Sequence, residues 1–493
     1  MKTNFKQTTV RIRLSLPIFL YLLFCPYLVL SQWTQLGNTL LPPNTNYIYH
    51  GANVKLNQSG DHMVFTTTHT GTQWIGEVRV YQFTGTNWQL KGNPISIPDY
   101  VPNIVTINED GTLIAFGIFG FEHNGPNRGK VEVYSWQNGI WQQKGNTLYG
   151  ENPEDQFGSE IGYDGIHDRL FVSSGVVNNF SGRVYIYQWN GSQYANIQTI
   201  DGVNSSGFGS HGLAVSQDAS TLAVGAIHED FGGNFEVGKV YVYQLSGNQY
   251  IPKGNPIPGS VELTQFGSIL GLSSDGNTVA ALGFPNNLGT IEVYDWTGSI
   301  WFLRGTPIVA ESNGFTGFGP FDISANGTVL AVGSSWVNGG GTNAGNVKVY
   351  QWNSNWEQVG FNLEGEPEDH FGTNVSLDAT GSKLSVFANK LENGNHRGYV
   401  KVFQNPSLGN IDQSSMNFEV YPNPSKGKVN ISFAKPFSNG VLEVFDMQGR
   451  KLQYHVLSQS LNYEMELPYT AGTYVLKITM DKNTSNKKLI INQ

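Results

Sequence analysis

Three short acidic stretches are the first places in this sequence where chemistry could sit. "GENPEDQFG" supplies Glu151, Glu154 and Asp155, "EGEPEDHFG" supplies Glu364, Glu366, Glu368 and Asp369, and "HED" supplies His228, Glu229 and Asp230. Paired carboxylates can cleave a glycosidic bond as acid and base or nucleophile, or hold a hard divalent cation. Runs of this kind also suit solvated loops. The first two are nearly identical, which points to a structural duty shared between repeats rather than to one active site. No nucleophile elbow, "HExxH", phosphate loop or metal-spaced histidine cluster occurs. His123, His211 and His370 stand alone and read as loop residues. No catalytic residue, cofactor or metal ligand is assigned.

Flat rings offer a second kind of chemistry. Trp74, Phe119, Phe121, Phe180, Phe231, Phe235, Phe284 and Trp336 fall in loops that vary in length from copy to copy of a repeated unit. Exposed rings stack on sugar faces or anchor a protein partner, whereas buried ones fill gaps between packed sheets. The candidate ligand-binding residues are therefore Trp74, Phe121, Phe180, Phe235 and Trp336, with His228, Glu229 and Asp230 beside them.

The elements that position these loops repeat. A glycine recurs at Gly76, Gly129, Gly182, Gly238, Gly289, Gly345 and Gly398, each opening an alternating run such as "GEVRVY", "GKVEVY" or "GRVYIY". Period-two alternation of Val, Ile and Tyr predicts a strand. A second aromatic follows in six copies, at Trp88, Trp141, Tyr194, Tyr250, Trp301 and Trp356, across a "TG", "NG" or "SG" turn, so each phrase is a hairpin. Two further strands per period appear in stretches such as "FGSILGLSSDGNTVAALG". Four short strands in about fifty residues predict a propeller blade. The seventh copy lacks its outer strand, and "WTQLGN" near the amino terminus is an outer strand without a hairpin. Pairing the two closes a ring of seven blades and leaves no free sheet edge. The predicted architecture is all-β: a seven-bladed β-propeller of four-stranded blades over residues 32–406, a linker at 407–417, and a small carboxy-terminal β-sandwich over 418–493.

Composition agrees with that plan and limits function. Charged residues are 14% and aromatics 13% of 493 residues, with 59 glycines, which suits many short strands and turns. Residues 1–31 combine Lys2, Lys6, Arg11 and Arg13 with an apolar run ending at Ser31, the pattern of a cleaved secretory signal. The one cysteine, Cys25, lies inside it, so the mature chain has no disulfide and no thiol nucleophile. Removing the four basic residues from the chain's 29 leaves 25 against 38 acidic, a net charge near −13. Nucleic acid is excluded as a partner on that charge, and no later stretch is apolar enough to span a membrane.

The tail carries "YPNP" at Tyr421, Pro422, Asn423 and Pro424, "DMQG" ending at Gly449, "AGTY" containing Gly472, and "KKLIIN" led by Lys487 and Lys488. In order and spacing these resemble the type A carboxy-terminal sorting domain of the type IX secretion system. The resemblance implies handling by that machinery and delivery to the outer cell surface or the extracellular space. The repeats are more loosely similar to secreted FG-GAP propellers. Calcium is not carried over, because "NEDG", "SSDG", "SANG" and "DATG" keep few of the oxygens a calcium loop needs and suit plain hairpin turns. The sequence thus leads to a non-enzymatic binding or adhesion module for glycan or protein. A carbohydrate-active hydrolase or lyase with a funnel active site, or a structural surface protein, are the alternatives.

Overall fold

The computed structural model describes residues 33–41, 47–48, 53–70, 74–285, 288–310, 320–392, 395–409, 418–433, 440–446, 450–457, 461–480 and 483–492. The expected signal segment and most of the expected linker lie outside the described residues. Apart from two four-residue helical turns, Val177–Phe180 and Pro406–Gly409, regular structure among the described residues is strand.

Among the described residues between Thr34 and Gln404 lie seven antiparallel sheets of four to six strands, besides the two-stranded pair Leu391–Glu392 and Asn395–His396. The fourth shows the plan: Phe208–Val215 innermost, then Thr221–Ala226, Lys239–Ser246 and Gln249–Pro252. The "GxVxVY" alternation buries Val131 and Val133, Val184 and Ile186, Val240 and Val242 between adjacent sheets. Removing such aliphatic area from water is the main stabilising term.

The expectation of four strands per sheet needs a correction. In five sheets the outer strand is broken, and both pieces pair with the same third strand. Trp88–Leu90 lies against Tyr81–Phe83, and Ile95–Pro98 against Ile75–Val78. The break falls at "KGN", where Gly92 turns at φ +76° and any Cβ would meet Trp136 at 2.4 Å. The third sheet has no glycine there, and its outer strand Tyr194–Asp201 runs on with one register shift.

Repeated contacts tie each sheet to the next. Gly182, which opens the third sheet's third strand, bridges in parallel to Phe208 of the fourth sheet. Phe208 N–H donates to the Ser181 carbonyl at 3.2 Å, and Gly202 N–H to the Gly182 carbonyl at 3.0 Å. At φ +81°, a Cβ on Gly182 would stand 2.0 Å from the Phe208 carbonyl oxygen, so only glycine fits. Gly129 with Phe157 and Gly345 with Phe371 repeat this bridge. The outer aromatics reach back: the indole N–H groups of Trp88, Trp141 and Trp301 donate to the carbonyls of Leu36, Lys91 and Lys253 at 3.0, 2.8 and 2.9 Å.

The two ends of the array meet. Outside, Thr34 and Gln35 pair with Gln404 and Phe403 of the seventh sheet, and Leu36 N–H donates to the Val402 carbonyl at 2.7 Å. Inside, Val54 N–H donates to Asn374 Oδ1 and Leu56 N–H to Ser376 Oγ, each at 3.2 Å, joining the first sheet's inner strand to the seventh's. The hairpin turns use their own oxygens: Asp275 Oδ1 accepts from Ser273 Oγ at 2.6 Å and Asn277 N–H at 3.0 Å. Their tips are linked from sheet to sheet. Ser274 N–H donates to Ala325 O at 2.7 Å, Ala325 N–H to Ala379 O and Ala379 N–H to Gln58 O, both at 2.9 Å. Gln217 of the fourth sheet also donates to Gln58 of the first, at 2.9 Å.

The tail folds as a three-stranded sheet (Phe418–Tyr421, Lys428–Phe433, Asn462–Glu466) and a four-stranded one (Lys451–Leu457, Gly440–Phe445, Gly472–Met480, Asn483–Ile491). Val429, Ile431 and Phe433 from the first share one core with Leu442, Val444, Leu476 and Ile478 from the second. "YPNP" is exposed and pinned to the last strand by Asn423 Oδ1, which accepts the Ile490 N–H at 2.8 Å. Lys487 donates to the Phe418 carbonyl beneath that ring. Gly449 and the side chain of Lys488 lie outside the described residues.

Candidate functional site: an aromatic-walled hollow

Two variable loops, from the third and fourth sheets, stand side by side. In the third, Asn178, Asn179 and Phe180 all adopt positive φ, between 54° and 63°, and the turn leaves Phe180 60% exposed. In the fourth, Phe231 and Asn234 exchange backbone hydrogen bonds of 3.1 and 3.0 Å around Gly232 and Gly233. That tight turn leaves Phe235 55% exposed. Gly207 N–H donates to Phe180 O at 2.7 Å and His228 N–H to Ser206 O at 3.0 Å, so the connection between the sheets holds both loops.

Phe180, Asn204, Ser205, His228, Glu229, Asp230, Phe235 and Glu236 line one open hollow of about 530 Å³. Five of the eight candidate residues thus come together: Phe180, Phe235, His228, Glu229 and Asp230. Glu229 is committed to Lys239 and to the Tyr241 hydroxyl. Asp230 Oδ1 accepts the Glu236 N–H at 2.9 Å. Glu236 accepts from Gln265 at 3.2 Å, and its other oxygen lies 3.4 Å from His228 Nδ1, which makes no hydrogen bond. His211 sits on the strand Phe208–Val215 rather than in a loop; although its side chain reaches solvent, partial desolvation by its surroundings, and then His228, lower its pKa.

The other candidates are placed elsewhere. Phe121 packs on Tyr100 at 4.6 Å and lies under the Lys130 ammonium at 4.4 Å, so it fills space within the second sheet. Trp336 is 51% exposed, with its ring against His370 at 4.4 Å, near the sixth and seventh sheets. Trp74 opens the strand Trp74–Phe83, but its side chain lies outside the described residues. The two acidic runs form matching turns: Glu154 accepts from Asn127 and Glu368 from Asn343, while Asp155 and Asp369 cap the backbone of Asn152 and Glu366. No group of three or more His, Cys, Asp or Glu among the described residues is placed to hold a metal ion.

Charged residues on the innermost strands were not singled out by sequence. Lys55 of the first sheet pairs with Asp322 of the sixth at 3.3 Å, and Asp322 also accepts from Ser376 Oγ and Leu377 N–H, both at 3.0 Å. Glu160 precedes the third sheet's inner strand Ile161–Asp164; burial pushes its pKa up to about 8, against the opposing pull of Lys55. Aligning the copies would have found them, because other copies carry Gly271 or Ser376 where these carry Lys55 and Asp322.

Residues 419–492 match the family of secretion system C-terminal sorting domains. The tail is therefore a sorting domain, which marks the chain for the type IX secretion machinery and for the cell surface or extracellular space. No curated protein matches the chain. Among solved structures, the chain is similar to the β-propeller domain of the trilobed protease from Pyrococcus furiosus, described as having an open velcro topology. The two are 11% identical over 74% of this chain and 95% of that one, with a TM-score of 0.45. The C-terminal WD40 domain of Sif2 is 10% identical over 76% and 98%, with a TM-score of 0.44. The Dos1 propeller is 12% identical over 77% and 95%, with a TM-score of 0.44. No helix among the described residues is long and apolar enough to cross a membrane.

Proposed function

We propose that residues 32–406 are a seven-bladed β-propeller, exported with a cleaved amino-terminal signal and a sandwich-like sorting tail, that binds glycans without cleaving them. The blade reading is supported by the inner and outer joints between first and seventh sheets and by the hydrogen bonds that link the turn tips from sheet to sheet. The "FG", "DG" and "GxVxVY" phrases of the repeats are the basis for a loose likeness to FG-GAP propellers.

One observation carries the binding reading. Phe180 and Phe235, 60% and 55% exposed, line the same hollow as the polar Asn204, Ser205, His228 and Asp230. Two large rings kept in water on anchored loops cost hydration free energy unless a ligand covers them, and a sugar offers both an apolar face and hydroxyls for the polar groups. The test is a glycan array probed with the mature protein and with a Phe180→Ala, Phe235→Ala variant. Spots bound by the first and lost with the second support the reading; a blank array removes it and leaves a protein partner or matrix role.

Hydrolysis in the funnel is the competing reading, favoured by Glu160, whose raised pKa would keep it a proton donor near neutrality. The carboxylate that shares Lys55 with it, Asp322, is already taken up by Lys55, Ser376 and Leu377, which fits a structural staple better than a base. Shortened glycan products that vanish with Glu160→Gln would favour the enzyme.

A further inference from the structure

The hollow contains carboxylates without matching cations. Glu229, Asp230 and Glu236 line it, and among the described residues no Lys or Arg does. Glu229 is neutralised by Lys239. Asp230 receives only a backbone N–H, and Glu236 a neutral amide and an imidazole at ion-pair distance.

The same loop shows how such a group is satisfied when a cation is at hand. The Lys239 ammonium sits on the Glu229 carboxylate and 5.3 Å from the centre of the exposed Phe231 ring. A carboxylate and a phenyl face together make a cradle for an ammonium, by charge and by the ring quadrupole. Asp230, Glu236 and Phe235 provide the same two components in the hollow, with no ammonium of the chain's own. The mature chain's net charge near −13 acts in the same direction, repelling anions from this surface at long range.

We propose that the hollow selects glycans bearing free amino groups, such as glucosamine units without their acetyl groups, over N-acetylated or uronic-acid glycans. This inference rests on the glycan-binding reading and adds the charge of the ligand. Stacking between Phe180 and Phe235 supplies the sugar platform, Asn204 and Ser205 face the hydroxyls, and Asp230 with Glu236 takes the ammonium. A lysine-rich peptide would satisfy the carboxylates but leave the second ring and the hydroxyl partners without a role.

The experiment titrates the whole mature protein with glucosamine hexamer, N-acetylglucosamine hexamer, galacturonate hexamer and hexalysine. The glucosamine hexamer is expected to bind about tenfold tighter than its acetylated form, a difference of about 1.4 kcal/mol, with a preference that fades as salt rises. Asp230→Asn and Glu236→Gln, both lining the hollow, each remove about fivefold from glucosamine binding and narrow its preference over the acetylated hexamer. Equal binding of the acetylated or uronate hexamer overturns the charge selectivity while sparing the glycan reading. No sugar binding at all, or binding of hexalysine alone, overturns both.

Discussion

The ammonium of Lys253 leaves its own sheet and donates to the carbonyl of Gly276 in the next, 2.7 Å away, with the rings of Trp296 and Trp301 5.8 and 5.5 Å from it. Lys91 makes the same contact with Gly111 at 2.8 Å beside Trp136 and Trp141, and Arg304 with Gly327 at 2.5 Å beside Trp352. The "KGN" phrase, "RGT" at Arg304, is therefore a clasp between neighbouring sheets. Its glycine lets the next tryptophan sit down, and its cation closes on the next turn.

Lys253 is 5% exposed, and burial lowers its pKa, so part of what the clasp gains is offset by desolvation. Lys253→Met keeps the apolar stem and removes the donor from Gly276 and Asn277. The expected loss is about 1–3 kcal/mol, from charged hydrogen bonds and the ring contact. Denaturant melts of the two proteins measure it.

Trp33 is 6% exposed and packs with Phe371, Val347 and Leu384 at the joint of first and last segments. Trp33→Ala is expected to cost about 3–5 kcal/mol through the cavity it leaves. Removing residues 33–40 would bare the edge of the strand Tyr399–Gln404, and an unpaired edge recruits other chains. Light scattering should then show self-association that the intact protein lacks.

Glu160 gives stability a pH dependence of known sign. Its folded pKa of about 8 lies above the ordinary 4.5, so between those values the folded chain holds a proton that the unfolded chain has released. Stability from this group is full below about 4.5 and lost as pH rises through about 8. Glu160→Gln stays neutral, so it should match the parent near pH 5 and exceed it by about 1–3 kcal/mol near pH 9. Paired melts across that range test this, and parallel curves for the two proteins would contradict it.

The repeat was legible because strand alternation and glycine spacing are local signals. Gly182 had to be glycine for a reason that lies in the next sheet, the Phe208 carbonyl, yet its recurrence was visible without that reason. The breaks in the outer strands were not foreseen, since the kink at Gly92 is fixed by Trp136, a residue one period away. The grouping of Phe180 with Phe235 and "HED" depends on which loops become neighbours, and so does the separation of Phe121 and Trp336 from them. Asn204, Ser205 and Glu236 were passed over because short polar residues in a loop look alike until a hollow forms around them. Asp155 and Asp369 showed their turn-capping duty in sequence only through the likeness of the two runs.

The central claim is that Phe180 and Phe235 form a sugar platform. The most direct measurement is calorimetric titration of the mature protein, and of its Phe180→Ala, Phe235→Ala variant, with the best-bound oligosaccharide from the array. The account predicts saturable binding to the parent, weakened at least about tenfold in the variant by loss of stacking, with thermal melting unchanged because both rings are exposed. Undiminished binding by the variant, or shortened oligosaccharide in the cell after titration, would contradict it.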